Sequence, residues 1–121
     1  MTIADAVWDG ILDSMDAFLN TGTAGSAFIV FQTAADADIA SCPLSDPAFG
    51  AASAGSMSIN AVTTDATPAS GTMHHAIFLN RATATAWEVS VGTTASEITF
   101  SNVSVSTADS VGLSSIIIAK P

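Results

Sequence analysis

A chain of 121 residues with 49% hydrophobic and only 11% charged residues is long enough for one domain with its own core, and too apolar for an intrinsically disordered segment. Eleven acids stand against two bases, giving a net charge of −9, which leaves no basic stripe for nucleic acid and disfavours an anionic membrane surface. Cys42 is the one cysteine, so no internal disulfide forms, and no apolar run approaches the length of a membrane span.

Residues 2–20 read as an N-terminal amphipathic helix, with the helical turns over 3–19. Ala4, Val7, Trp8, Ile11, Leu12, Met15, Phe18 and Leu19 fall on one stripe. Asp5, Asp9, Asp13 and Asp16 fall on the opposite side, mostly toward the N-terminal half, where the helix dipole partly offsets their repulsion. Thr2 and Asp5 have the spacing of a capping box, and Asn20-Thr21-Gly22 supplies the stop. The same acids occupy the place of the basic region of a signal peptide, so none is expected and assembly in a cytoplasm follows.

Beyond Gly25 the pattern changes to strands. Ala27–Gln32 is apolar on both faces, as in a central strand. Ile39–Leu44 is a second strand, with Pro43 marking an edge or bulge. Residues 45–50 form a turn in which Asp46 bonds nearby backbone, Pro47 fixes φ, and Phe49 plugs the core. Ser56–Thr64 alternates, and Met73–Arg81 follows after a polar loop. Trp87, Val89 and Val91 then point inward. Ile98 and Phe100 share one parity and Val103 and Val105 the other, which predicts a bulge near Ser101-Asn102. Val111–Lys120 closes the chain. Its triplet Ile116-Ile117-Ile118 is apolar on both faces and must be covered by a sheet, a helix or another subunit. The expected fold is mainly β: a single-domain antiparallel β-sandwich of about seven strands over 26–120, with one N-terminal helix.

Chemistry is sparse. His74 and His75 are adjacent, so within a strand they point to opposite faces and do not share a metal. Asp36-Ala37-Asp38 echoes a calcium loop but lacks the glycine and the bidentate Glu of an EF-hand. No nucleophile elbow or phosphate-binding loop is present. No catalytic, cofactor or metal site is assigned. An enzyme would need a pocket joining His74 or His75 to a carboxylate. Cys42 has no basic neighbour in sequence and reads as an inert buried thiol.

The run Leu44-Ser45-Asp46-Pro47-Ala48-Phe49-Gly50-Ala51-Ala52 resembles a segment of small hypothetical proteins of tailed bacteriophages and prophages. The likeness extends to the acidic helix, to Gly71-Thr72-Met73, and to a closing segment over Ser104–Ile118. That resemblance implies a virion component, and within that group a capsid decoration (cement) protein on the head surface. Its partners would be the major capsid protein and copies of itself, as homotrimer or homodimer, with no nucleic acid, membrane or cofactor. The composition suits this role, since small, weakly polar side chains lose little rotamer entropy on contact. The expected interface residues are Trp8, Ile11, Leu12, Met15, Ile116, Ile117 and Ile118. The alternatives are another virion part, such as a head-fibre base, neck or tail accessory, and a carbohydrate- or cell-binding β-sandwich module, which an exposed Trp87 would favour.

Overall fold

The computed structural model describes residues 2–23 and 25–119, and in them the chain is mainly β with one helix. Helix α1 spans Asp5–Leu19. The strands are β1 (Phe28–Gln32), β2 (Asp38–Pro43), β3 (Ser56–Ser58), β4 (Gly71–Thr72), β5 (His75–Leu79), β6 (Thr85–Gly92), β7 (Ile98–Thr99), β8 (Ser104–Val105) and β9 (Ile117–Ala119).

Five strands form one sheet in the order β2-β1-β5-β6-β7. The first four pair antiparallel in register, placing Ile29 opposite both Cys42 and Phe78, and Phe78 opposite Trp87. β7 joins β6 in parallel, so the sheet is mixed rather than purely antiparallel. Two small antiparallel sheets, β3–β9 and β4–β8, complete the strands. Nine strands among the described residues replace the seven expected. The two extra strands are β4, which precedes the expected Met73–Arg81 segment, and the one gained where the expected segment from Ile98 to Val105 divides into β7 and β8; other expected strands shorten. Ser56–Thr64 keeps ladder pairing only over Ser56–Ser58, and Val111–Lys120 only over Ile117–Ala119, with Lys120 outside the described residues.

The parity switch between Phe100 and Val103 marks a change of sheet, not a bulge. Ile98–Thr99 pairs with β6, and Ser104–Val105 pairs with β4. The prediction for 27–32 agrees with the structure: β1 lies between β2 and β5, and Ile29, Val30 and Phe31 are all buried.

One buried cluster runs from the helix to the last third of the chain. Its largest fully enclosed side chains include Leu19, Ile29, Phe31, Phe49, Met57 and Phe78. Phe49 enters from the loop after β2, as the sequence predicts. Its ring centroid lies 6.5 Å from Phe78 and 6.3 Å from Trp87. Phe78 and Trp87 stack at 4.7 Å and 25°. No described polar side-chain atom is buried without a partner.

The helix start differs from the expected capping box. The N-cap is Ala4, with no side-chain cap, and Asp5 is already the first helical residue. The stop is as expected: the Asn20 and Thr21 amides donate to the carbonyls of Asp16 and Phe18, and Gly22 turns the chain at φ 123° against the backbone of Arg81 and Ala82. Only a residue without Cβ fits that approach.

Candidate interaction surface

Three of the four acids of α1 are bonded to the chain's own backbone. Asp9, Asp13, Asp16 and Asn20 recur at intervals of 4, 3 and 4 residues and so line one side of the helix. Each side chain accepts a backbone amide from the loop that runs antiparallel beside it. Asn20 Oδ1 accepts from Ala48 at 3.1 Å and Asp16 Oδ1 from Phe49 at 2.9 Å. Asp13 Oδ1 accepts from Ala52 at 2.9 Å and Asp9 Oδ1 from Gly55 at 2.8 Å. The loop residues 48–55 have little secondary structure of their own, so their amides need acceptors from elsewhere. Carboxylates serve better than neutral groups because a charge-assisted bond is the stronger one.

This ladder rotates the helix away from the orientation its hydrophobic stripe predicts. Leu12 and Leu19, next to the acids on the helical wheel, are buried. Trp8 and Met15 are half-buried. Val7, Ile11 and Phe18, on the far side of the stripe, are 54%, 42% and 46% exposed. Between α1 and β6 lies a shallow groove of about 270 Å³, lined by Ile11, Ser14, Met15, Phe18, Ala86 and Trp87.

Trp87 also borders a second groove of about 290 Å³, which β9 closes on its other side and Ile98 and Val89 share. Within the closing triplet Ile117 is 65% exposed while Ile116 and Ile118 are half-buried. The triplet is therefore not a central strand covered on both faces; β9 has one strand neighbour, β3. Of the seven expected interface residues, Leu12 belongs to the chain's own core at 2% exposure and is corrected on that ground. Ile11 and Ile117 are the most exposed of the rest. Val7 and Phe18 are not among the expected interface residues; the regular Asp spacing, read as a row of acceptors, is the signal that finds them.

The histidines meet, contrary to the alternation argument. β5 begins only at His75, so His74 lies outside the strand and its ring turns back: the two Nδ1 atoms are 3.2 Å apart. His75 is buried, and its Nε2 faces both Gln32 Oε1 and the Asp36 carboxylate at 2.9 Å. Both groups facing Nε2 are acceptors, so Nε2 is the donor in these contacts. Gln32 Nε2 donates to Asp38 at 2.7 Å. These bonds tie the β1–β2 turn to β5. Asp36 is 77% exposed, so the His75–Asp36 pair opens on the surface of a turn. Among the described residues no group of three or more His, Cys, Asp or Glu side chains is arranged to hold a metal ion.

Asp65 cross-links three segments. Its Oδ2 accepts from Ser41 and its Oδ1 from Thr67, each at 2.9 Å, while its backbone pairs with Val111. The Ser41 and Thr67 amides hold its carboxyl below the ordinary carboxylate range. Burial pushes the neighbouring Cys42 thiol up, and its Sγ donates to Val111 O at 3.3 Å. A folded pKa below the unfolded one contributes stability above the unfolded value near pH 4, and that contribution is lost as pH falls through the folded value. Denaturant midpoints measured from pH 7 to pH 2 should thus fall on the acid side, and less steeply for Asp65→Asn. Equal acid slopes would show that these amide bonds carry no proton linkage.

Set against protein-family models, curated proteins and solved structures, the chain matches none. Among the described residues no helix is long and apolar enough to cross a membrane.

Proposed function

We propose that this chain is a non-catalytic structural protein of a tailed-phage virion, a decoration protein that adds to the outside of the head shell after synthesis in the host cytoplasm. Its partners in this reading are the major capsid protein and further copies of itself. The observation that carries it is the outward-turned apolar surface: Val7, Ile11 and Phe18 on α1, with Ile117 on β9. Large apolar side chains left exposed together mark a surface that meets a partner. In the same reading the central sheet and the two small sheets act as the layers of a sandwich around Phe49 and Met57, a rigid body suited to clamping neighbours. The resemblance around Leu44–Ala52 supplies the virion context, and the loop that carries it is the one held by the Asp ladder.

Repetition by symmetry lets modest contacts add to a strong attachment. The test is addition of the purified chain to phage shells that lack it, followed by sedimentation and particle imaging. Binding in many symmetry-related copies is expected; shells that remain bare, or density confined to a neck or tail position, would overturn decoration.

A further inference from the structure

His74 and His75 have no part in the proposed function, yet their rings converge. The two Nδ1 atoms lie 3.2 Å apart, with the ring planes at 88°. Two nitrogens facing each other hold one proton between them at most. The same gap is close to the bite of a metal ion: imidazole nitrogens bound at about 2.0–2.1 Å to a tetrahedral cation stand about 3.3–3.4 Å apart. Alternation keeps neighbouring side chains from a common ion only inside a strand, and His74 precedes β5.

The surroundings support the pair as ligands. His75 is 6% exposed, and its Nε2 donates to the Asp36 carboxylate and to Gln32 Oε1, each at 2.9 Å. A histidine ligand commonly gives its second ring N–H to a carboxylate or carbonyl, which orients the ring and raises its basicity. Neutral His75 with that proton on Nε2 has its lone pair on Nδ1, the atom that meets His74. The His74 backbone is fixed at both ends: its amide donates to Gln32 O at 2.9 Å, and its carbonyl accepts from Val91 at 3.0 Å. The His74 side chain is exposed, so water reaches the remaining coordination positions. Two protein nitrogens are fewer than the ligands of a structural or catalytic zinc site, which makes this an open site of moderate affinity. Imidazole suits Cu²⁺ above Zn²⁺, and both above Ca²⁺ or Mg²⁺. A net charge of −9 draws cations toward the chain.

We infer that His74 and His75 bind one divalent transition cation through their Nδ1 atoms, with Asp36 as the positioning residue behind His75. The ion ties the β1–β2 turn, through Asp36, to the start of β5. Calorimetric titration of the full chain with copper(II) chloride and with zinc chloride tests this, together with electron paramagnetic resonance of the Cu²⁺ complex. One equivalent of either ion should bind, Cu²⁺ the more tightly, and the Cu²⁺ spectrum should show two coordinated nitrogens. An excess of Mg²⁺ should not compete. His74→Gln changes an exposed side chain and should weaken binding by at least about ten-fold. Asp36→Asn suits the φ of 64° at that position and should weaken binding about ten-fold. It should also shift the Cu²⁺ spectrum, because the His75 ring becomes a weaker base. His75→Gln, with folding checked by circular dichroism, should leave a spectrum with one nitrogen fewer. A chain that takes up neither ion, an affinity indifferent to His74→Gln or to Asp36→Asn, or displacement by Mg²⁺ would overturn the inference. The result is independent of shell addition, since it is read on the isolated chain.

Discussion

Phe49→Ala should lower the unfolding free energy by about 3–5 kcal/mol and the thermal midpoint by roughly 10–20 °C. Phe49 is 1% exposed and touches the stacked pair Phe78 and Trp87, so removing its ring opens a cavity between the central sheet and the loop after β2. The surroundings have little freedom to collapse into it. Phe78 is held in register between Ile29 and Trp87, and the loop is pinned to the helix. Trp87 emission should shift to the red as water reaches it. Denaturant unfolding followed by that emission checks both, and a loss below about 1 kcal/mol would mean the ring is not a core member.

Asp16→Ala should cost about 1–3 kcal/mol, because it leaves the Phe49 amide without its acceptor in a partly buried place. Asp16→Asn keeps an oxygen at that position and should recover most of the loss. Asp13→Ala should cost less, since the Ala52 amide it serves is near water. Hydrogen exchange gives a local reading: protection of the Phe49 amide should fall in Asp16→Ala before global stability does. Unchanged exchange there would show that the ladder does not hold the loop.

Strands built on strong local pattern were legible. The continuous apolar run at Ala27–Gln32 and the alternation of Trp87, Val89 and Val91 each correspond to a strand of the main sheet. Phe49 was legible as a core residue because a large aromatic in a turn that Pro47 shapes has few other places to go. The weaker segments were not. Ser56–Thr64 and Val111–Ala119 consist of residues whose pairing depends on which distant edge arrives, and they hold ladder pairing over three residues each. His74 and His75 were misread because alternation applies only inside a strand, and β5 starts between them.

By itself the sequence determined the β-rich class, the N-terminal helix and its stop, the acidic balance and the poverty of catalytic groups, all of which follow from composition and short-range periodicity. Which way the helix faces was decided only in three dimensions. Periodicity shows that α1 has an apolar stripe and an acidic row, but both cannot be turned fully inward, and the choice depends on what lies opposite. Here it is a loop whose amides at Phe49, Ala52 and Gly55 need acceptors. The Phe49 and Gly55 amides lie in partly buried places where a missing acceptor is costly, so the carboxylates turn to the loop and Val7, Ile11 and Phe18 are left outward.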